Sequence, residues 1–223
     1  MIEAKSARPA VTRPSVREAP PMRCRLATLF VDIAGSTSLL VHHAPEVVLG
    51  VVQGFMTLVS EVASAHAGTV KDFEGDGALL YFTSTTSATG AALAIQRSLA
   101  DGRCDIACGE GPGIAARLSV TVGDVVMGAV GSSSHRGIAL IGPSVNIGAR
   151  LLKHAPLGSI IVSGEVFEEL RRDARPLADK FQPLDAAFVV PGADGMTVAT
   201  YFAAPPPATV PATSARFGCS QAF

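Results

Sequence analysis

The sequence predicts an α/β sandwich (α+β) with a mixed, largely antiparallel sheet and helices packed on it. Three observations carry this. Apolar runs of strand length alternate with stretches whose apolar residues recur at helical spacing. Strand candidates pair through short turns, at Glu74-Gly75-Asp76-Gly77 and at Pro191-Gly192-Ala193-Asp194-Gly195, which suit hairpins rather than parallel crossovers. Finally, 48% of the 223 residues are hydrophobic and 17% charged, the balance of one domain with a sizeable core.

Taken in order, residues 1–22 mix prolines with charges and read as a flexible leader. The folded domain is expected over 23–202. Arg25 to Ile33 is a continuous apolar run, as in a strand covered on both faces, and Gly35-Ser36-Thr37 ends it. From Ser38 to Ala67, Val47, Val51, Phe55, Leu58, Val59 and Val62 repeat at helical spacing, with Pro45 suited to opening a new helical segment. Gly68 closes that helix. Thr69–Phe73 and Ala78–Phe82 make a hairpin with Asp76 at its tip. An Ala-rich helix follows over 84–100, then a Gly-rich loop over 101–113 whose Gly109, Gly111 and Gly113 follow no strand and carry no phosphate-loop signal.

Ala115–Val122 and Val125–Val130 are expected as two strands split by a tight turn at Gly123-Asp124. The stretch 131–137 reads as a loop or arm tip and Ile138–Ile141 as a short strand. Gly142-Pro143-Ser144 opens a helix running to about His154, Ser159–Val162 is another strand, and 164–172 another helix. Residues 186–190 and 196–202 form a last hairpin, and the Pro- and Ala-rich stretch 203–223 reads as a disordered tail.

A formal net charge of −1 gives little long-range attraction for nucleic acid, so no DNA or RNA partner is expected. The longest apolar runs fall short of the ~20 residues that cross a bilayer and the N-terminus lacks a secretory pattern, so a cytoplasmic chain without a membrane span is expected. Cys24, Cys104, Cys108 and Cys219 form no CxxC pair and read as reduced thiols.

The chemistry-bearing stretches are LFVDIAGSTSLL and FEGDGALLYF. Each delivers a carboxylate, Asp32 or Asp76, from an apolar run to small residues. The sheet brings those strand ends side by side. Two adjacent carboxylates offer hard oxygen ligands to two Mg²⁺ or Mn²⁺ ions with room left for phosphate oxygens. The N–H groups of Gly35, Ser36 and Thr37, at a helix start, suit the β- and γ-phosphates of a nucleoside triphosphate.

Four ordered motifs, LFVDIAGSTSLL, GTVKDFEGDGALLYF, RLSVTVGDVVMGAVG and LIGPSVNIGARLL, together resemble the class III adenylyl/guanylyl cyclase catalytic domain of bacterial type over about Arg25 to Leu170. The resemblance implies the ferredoxin-like βαββαβ core of nucleotide cyclases. It implies a homodimer with shared sites that converts a nucleoside triphosphate, ATP favoured, to a 3′,5′-cyclic nucleotide and pyrophosphate, with two Mg²⁺ or Mn²⁺ ions per site. The metal carboxylates match Asp32 and Asp76, with the Ile33 carbonyl also touching a metal. The transition-state pair matches Asn146 and Arg150, whose spacing places both on one helix face. An Asn can orient a ribose and an always-charged Arg can stabilise negative charge on phosphate.

The base readers depart from the family pattern. The position four before Asp76, where the family carries a purine-reading Lys, holds Asp72, and Lys71 lies five before. Either a bulge returns Lys71 to the pocket or this contact is missing. The second reader falls on Ala139, which offers no side-chain hydrogen bond; Ser134 and Arg136 are the nearby substitutes. A cyclase for GTP or another nucleotide, and a catalytically degenerate cyclase-like domain, are therefore the alternatives, and a separate regulatory protein is a possible partner. His42, His43, His66, His135 and His154 are scattered and read as packing or surface residues, Glu74 as a hairpin charge or a support for the metal site, Asp124 as a turn residue, and Phe73, Tyr81 and Phe82 as core or sheet-face aromatics.

Overall fold

A computed structural model describes residues 20–102, 114–132, 136–184, 187–191 and 196–203. Most of the expected leader, the loop over 103–113, the arm tip at 133–135, the tail from 204, and Cys104, Cys108, Cys219, Ser134 and His135 lie outside the described residues. Cys24 is a free thiol.

The chain begins with β1 (Met22–Ile33), then α1 (Ser36–His42) and α2 (Pro45–Ala65), the latter opened by Pro45 in its first turn. The hairpin β2 (Thr69–Glu74) and β3 (Gly77–Phe82) leads into α3 (Thr85–Ala100), which Ser84 caps by accepting from the Ser87 N–H. Next come β4 (Ala116–Gly131), β5 (Arg136–Ile141), α4 (Pro143–His154), β6 (Ile160–Ser163) and α5 (Gly164–Asp173). The described part closes with α6 (Arg175–Ala178), β7 (Gln182–Pro183), β8 (Phe188–Val189), β9 (Thr197–Val198) and β10 (Thr200–Ala203).

The main sheet runs β2-β3-β1-β4-β6-β10-β7, with β5 paired to the far part of β4. Among these pairs only β4 with β6 is parallel, so the sheet is mixed and largely antiparallel. Helices cover both faces. Leu29, Phe55, Leu80, Ile95, Leu118 and Leu170 belong to the core under α2, α3 and α5, whereas Leu26, Leu79, Val125, Leu140 and Val145 pack with Phe30 on the other face, under α4. Alternation along β1 assigns its side chains: Ala27, Leu29, Val31 and Ile33 enter the first core, so Asp32 shares the face of Phe30.

Several expectations are corrected. Gly123-Asp124 is not a turn: β4 is one 16-residue strand running through both residues, because β1 pairs with it without interruption, Leu26 opposite Gly123 and Arg25 opposite Asp124. Gly123 is required there by packing, since a Cβ would lie 2.9 Å from the Ser144 side chain. The last expected hairpin is reduced to β8 and β9, and Thr200–Ala203 leaves it to pair with β6 and β7. The short α6 and β7 were not anticipated. Finally, α2, at 21 residues, is long and apolar enough to cross a membrane by length and composition. Its Val51, Phe55, Val59 and Ala63 stripe is packed in the core.

Candidate active site

The site is built where β1 ends. Asp32 stands opposite Gly77 of β3 and opposite Arg117 of β4. The turn between β2 and β3 carries Asp76, whose backbone carbonyl accepts from the Ile33 N–H at 3.3 Å. This tie holds the second carboxylate against the first strand's end. Gly77 is needed for the approach, since a Cβ there would lie 3.0 Å from the Val31 carbonyl and 3.3 Å from Asp32 Oδ1. Both carboxylates are half-buried.

Their proximity is electrostatic as well as geometric. Burial, then the charge of Asp76 and a hydrogen bond to it, push the Asp32 carboxyl up to about 6, against the opposing pull of Arg117. Two carboxyls this close share a proton or a cation. The donor set, two carboxylates with the Ile33 carbonyl beside them in the chain, consists of hard oxygens and fits Mg²⁺ or Mn²⁺. No group of three or more His, Cys, Asp or Glu side chains gathers among the described residues, so protein side chains alone would not complete an ion's coordination and sites would remain for phosphate or water. Arg117 was missed from the sequence. Its Nε is buried without a hydrogen-bond partner. The signal was present as one arginine inside the apolar strand ARLSVTV.

Gly35 takes the left-handed conformation, φ 78°, and α1 starts at Ser36 with no side-chain cap. The N–H groups of Ser36 and Thr37 are left for an acceptor from outside the helix.

Asn146 and Arg150 are both exposed, one turn apart on α4, because Ser144, Val145, Gly148 and Leu151 turn the opposite side of that helix to the sheet. The Arg150 guanidinium donates to the Pro191 carbonyl at 2.5 Å, and Arg150 is not among the charges acting on Asp32. One chain thus brings Asp32, Asp76 and Arg117 together and leaves Asn146 and Arg150 outside that cluster.

The register of β2 against β3 shifts at a bulge. Val70 faces Leu80 and Asp72 faces Leu79, so Lys71 is the extra residue. Bulged neighbours project to similar sides, and Lys71 Nζ lies 3.0 Å from Asp72 Oδ2, which holds the Asp72 carboxyl below its ordinary range. Ala139 is opposite Gly128 on β5. His42 bonds the Ser38 carbonyl at 2.8 Å and His154 packs edge-on against Phe188. Phe82 is in the core, while Phe73 is exposed.

Comparison with known proteins decides the family. Residues 22–203 match the family described as the adenylate and guanylate cyclase catalytic domain. The chain belongs to that family. It is 30% identical over 155 residues to an uncharacterized protein of Mycobacterium tuberculosis, covering 67% of this chain and 28% of the relative. A second uncharacterized protein of that organism is 34% identical over 133 residues, covering 58% and 23%. The chain therefore spans about a quarter of the length of these relatives. In fold, it is similar to the adenylyl cyclase CyaB from P. aeruginosa, TM-score 0.71 at 20% identity over 82% of this chain and 95% of that one. It is likewise similar to the guanylate cyclase domain of RhGC from Catenaria anguillulae in complex with GTP, TM-score 0.67 at 20% identity over 80% and 94%. The structural likenesses bear out the mixed α/β architecture, and the family match bears out the class III cyclase assignment.

Proposed function

We propose that this domain, as a homodimer, converts a nucleoside triphosphate, ATP favoured, to its 3′,5′-cyclic nucleotide and pyrophosphate. The observation that carries the reading is the pairing of Asp32 with Asp76 beside Arg117, at a strand end followed by the uncapped start of α1. Asp32, Asp76 and the Ile33 carbonyl would hold two Mg²⁺ or Mn²⁺ ions, which when bound supply Lewis-acid activation of the ribose 3′-hydroxyl and neutralise charge on the leaving pyrophosphate. The protein's own groups do the remainder. N–H groups of Ser36 and Thr37 seat the β- and γ-phosphates, and Arg117 places a cation along the triphosphate. Asn146 of the second subunit orients the ribose, and its Arg150 stabilises the charge that grows on the α-phosphate. For this, Arg150 releases the Pro191 carbonyl.

Lys71, presented by the bulge, reads the base. Its bond to Asp72 and the absence of a side-chain partner at Ala139 favour a second reading in which GTP or another nucleotide is preferred. Incubating the purified protein with Mn²⁺ and each triphosphate in turn, and separating products by chromatography, tests both. Cyclic AMP as the main product supports the first reading and cyclic GMP the second. No cyclic product from any nucleotide, in protein shown to be dimeric, would leave the degenerate domain as the answer.

A further inference from the structure

The sheet has a notch. On its outer edge β4 pairs with β6 only through Leu118, Ser119 and Val120, and with β5 only from Val126 onward. Among the described residues, 121–125 between them have no strand on that side. The Leu118 N–H points out of this edge, donating to the Ser159 carbonyl at 3.1 Å. By the strand's two-residue period, the backbone groups of Val122 and Asp124 point out of it too. The start of α4 and the end of β6 bound the notch, and together with the strand edge and residues 196–199 they line an open cavity of about 590 Å³. That volume suits a small organic ligand. The cavity includes none of the residues assigned to catalysis.

Two features give the cavity a polar lining. Ser144 is 8% exposed and Ser163 5% exposed; both line the cavity, and the hydroxyl of each is buried without a hydrogen-bond partner. Orphaned buried hydroxyls are costly, and a ligand that bonds them removes that cost. At the rim stand the exposed carboxylates of Asp124 and Glu165, which make no side-chain hydrogen bond or ion pair among the described residues. Arg25, which also lines the cavity and feels the charge of both carboxylates, is bonded to Glu169 at 2.7 Å. Ile147 and Val198 give the wall an apolar stretch.

We propose that the notch binds a small organic cation, an amine on a compact apolar body that also carries a hydroxyl, and that its occupancy is felt at Arg150. The amine meets Asp124 and Glu165, the hydroxyl meets Ser144 and Ser163, and the body lies against Ile147 and Val198. A short run of contacts leads outward. Met196 lines the cavity, its carbonyl accepts from the Val190 N–H at 2.8 Å, and the next residue, Pro191, holds Arg150. An occupant that displaces Met196 shifts the carbonyl to which Arg150 is tied.

Tyramine is a suitable probe, with the neutral 4-(2-hydroxyethyl)phenol and the anionic 4-hydroxyphenylacetate as matched controls. Titrations of the full chain followed by protein NMR are expected to show saturable tyramine binding at least about tenfold tighter than either control. Glu165→Gln and Asp124→Asn, exposed and nearly isosteric changes whose folding a thermal melt verifies, should each weaken it by about fivefold. Ser144→Ala should weaken it as well. At saturation the Arg150 Nε–H resonance should move. Equal binding of the three probes, no saturation by tyramine, or tyramine binding that neither acidic variant changes overturns the site. Saturable binding with a motionless Arg150 signal overturns the link. All these readouts are independent of cyclase activity.

Discussion

Asp32 concentrates the strain of the site in one residue. Its carboxyl is driven from an ordinary value of 3.8 to about 6 by burial and by Asp76, so in metal-free protein its protonated form is the one that fits the fold. The stabilisation this gives is fully present below 3.8 and is lost as pH rises through about 6. Wild-type protein in chelator should therefore lose stability relative to Asp32→Asn between acidic and neutral pH. Urea melts of the two proteins across that range check this, and parallel stability curves would contradict it. The same proton competes with a cation, so Mn²⁺ affinity measured by calorimetry should fall as pH drops through about 6. Arg117 counteracts the shift, and Arg117→Leu should move both transitions to higher pH.

At the scale of elements, the decisive devices are a bulge and a close crossing. Lys71 is inserted between Val70, opposite Leu80, and Asp72, opposite Leu79, so deleting it leaves every other pairing of the hairpin in place. The deletion should cost little stability, within about 1 kcal/mol, while raising KM for the preferred nucleotide. An unchanged KM would remove Lys71 from base recognition. α4 crosses the sheet at Gly148, where a Cβ would meet the Phe30 ring and Thr121 Oγ1 at 2.8 Å. Gly148→Ala should destabilise by about 1–3 kcal/mol, as a lowered urea midpoint. Much of this level was legible in the sequence. β1, the β2–β3 hairpin and the five longer helices announce themselves by period and by Gly and Pro punctuation, and with them the placing of Asp32 beside Asp76. What was misread depends on distant pairing. Gly123-Asp124 has the local composition of a turn, but twelve residues of β1 laid along β4 override it. Thr200–Ala203 joins β6 for the same reason. Nothing in the sequence near Lys71 reveals whether a strand bulges.

At the scale of the molecule, the separation within one chain is the main fact. Asp32, Asp76 and Arg117 form one cluster, while Asn146 and Arg150 stand on the outer side of α4, with no charge contact to Asp32. Exposed Met22, Val130, Ile138 and Ile141 lie where β1 starts and β4 and β5 reach outward, apolar surface of the kind a second copy covers. If each site takes its carboxylates from one subunit and its Asn and Arg from the other, then Asp32→Ala and Arg150→Ala should each be inactive alone. In a mixed dimer one site carries both lesions and the other carries none. Equal mixing with free subunit exchange puts half the protein in mixed dimers, so activity should return to about a quarter of the wild-type level. The assay needs a dilution series, because the recovered rate must fall with dimer dissociation. Persistent inactivity in mixtures whose subunit exchange is demonstrated by differential labelling would mean that Arg150 serves the Asp32 of its own chain, and α4 would then have to swing across the sheet to reach it.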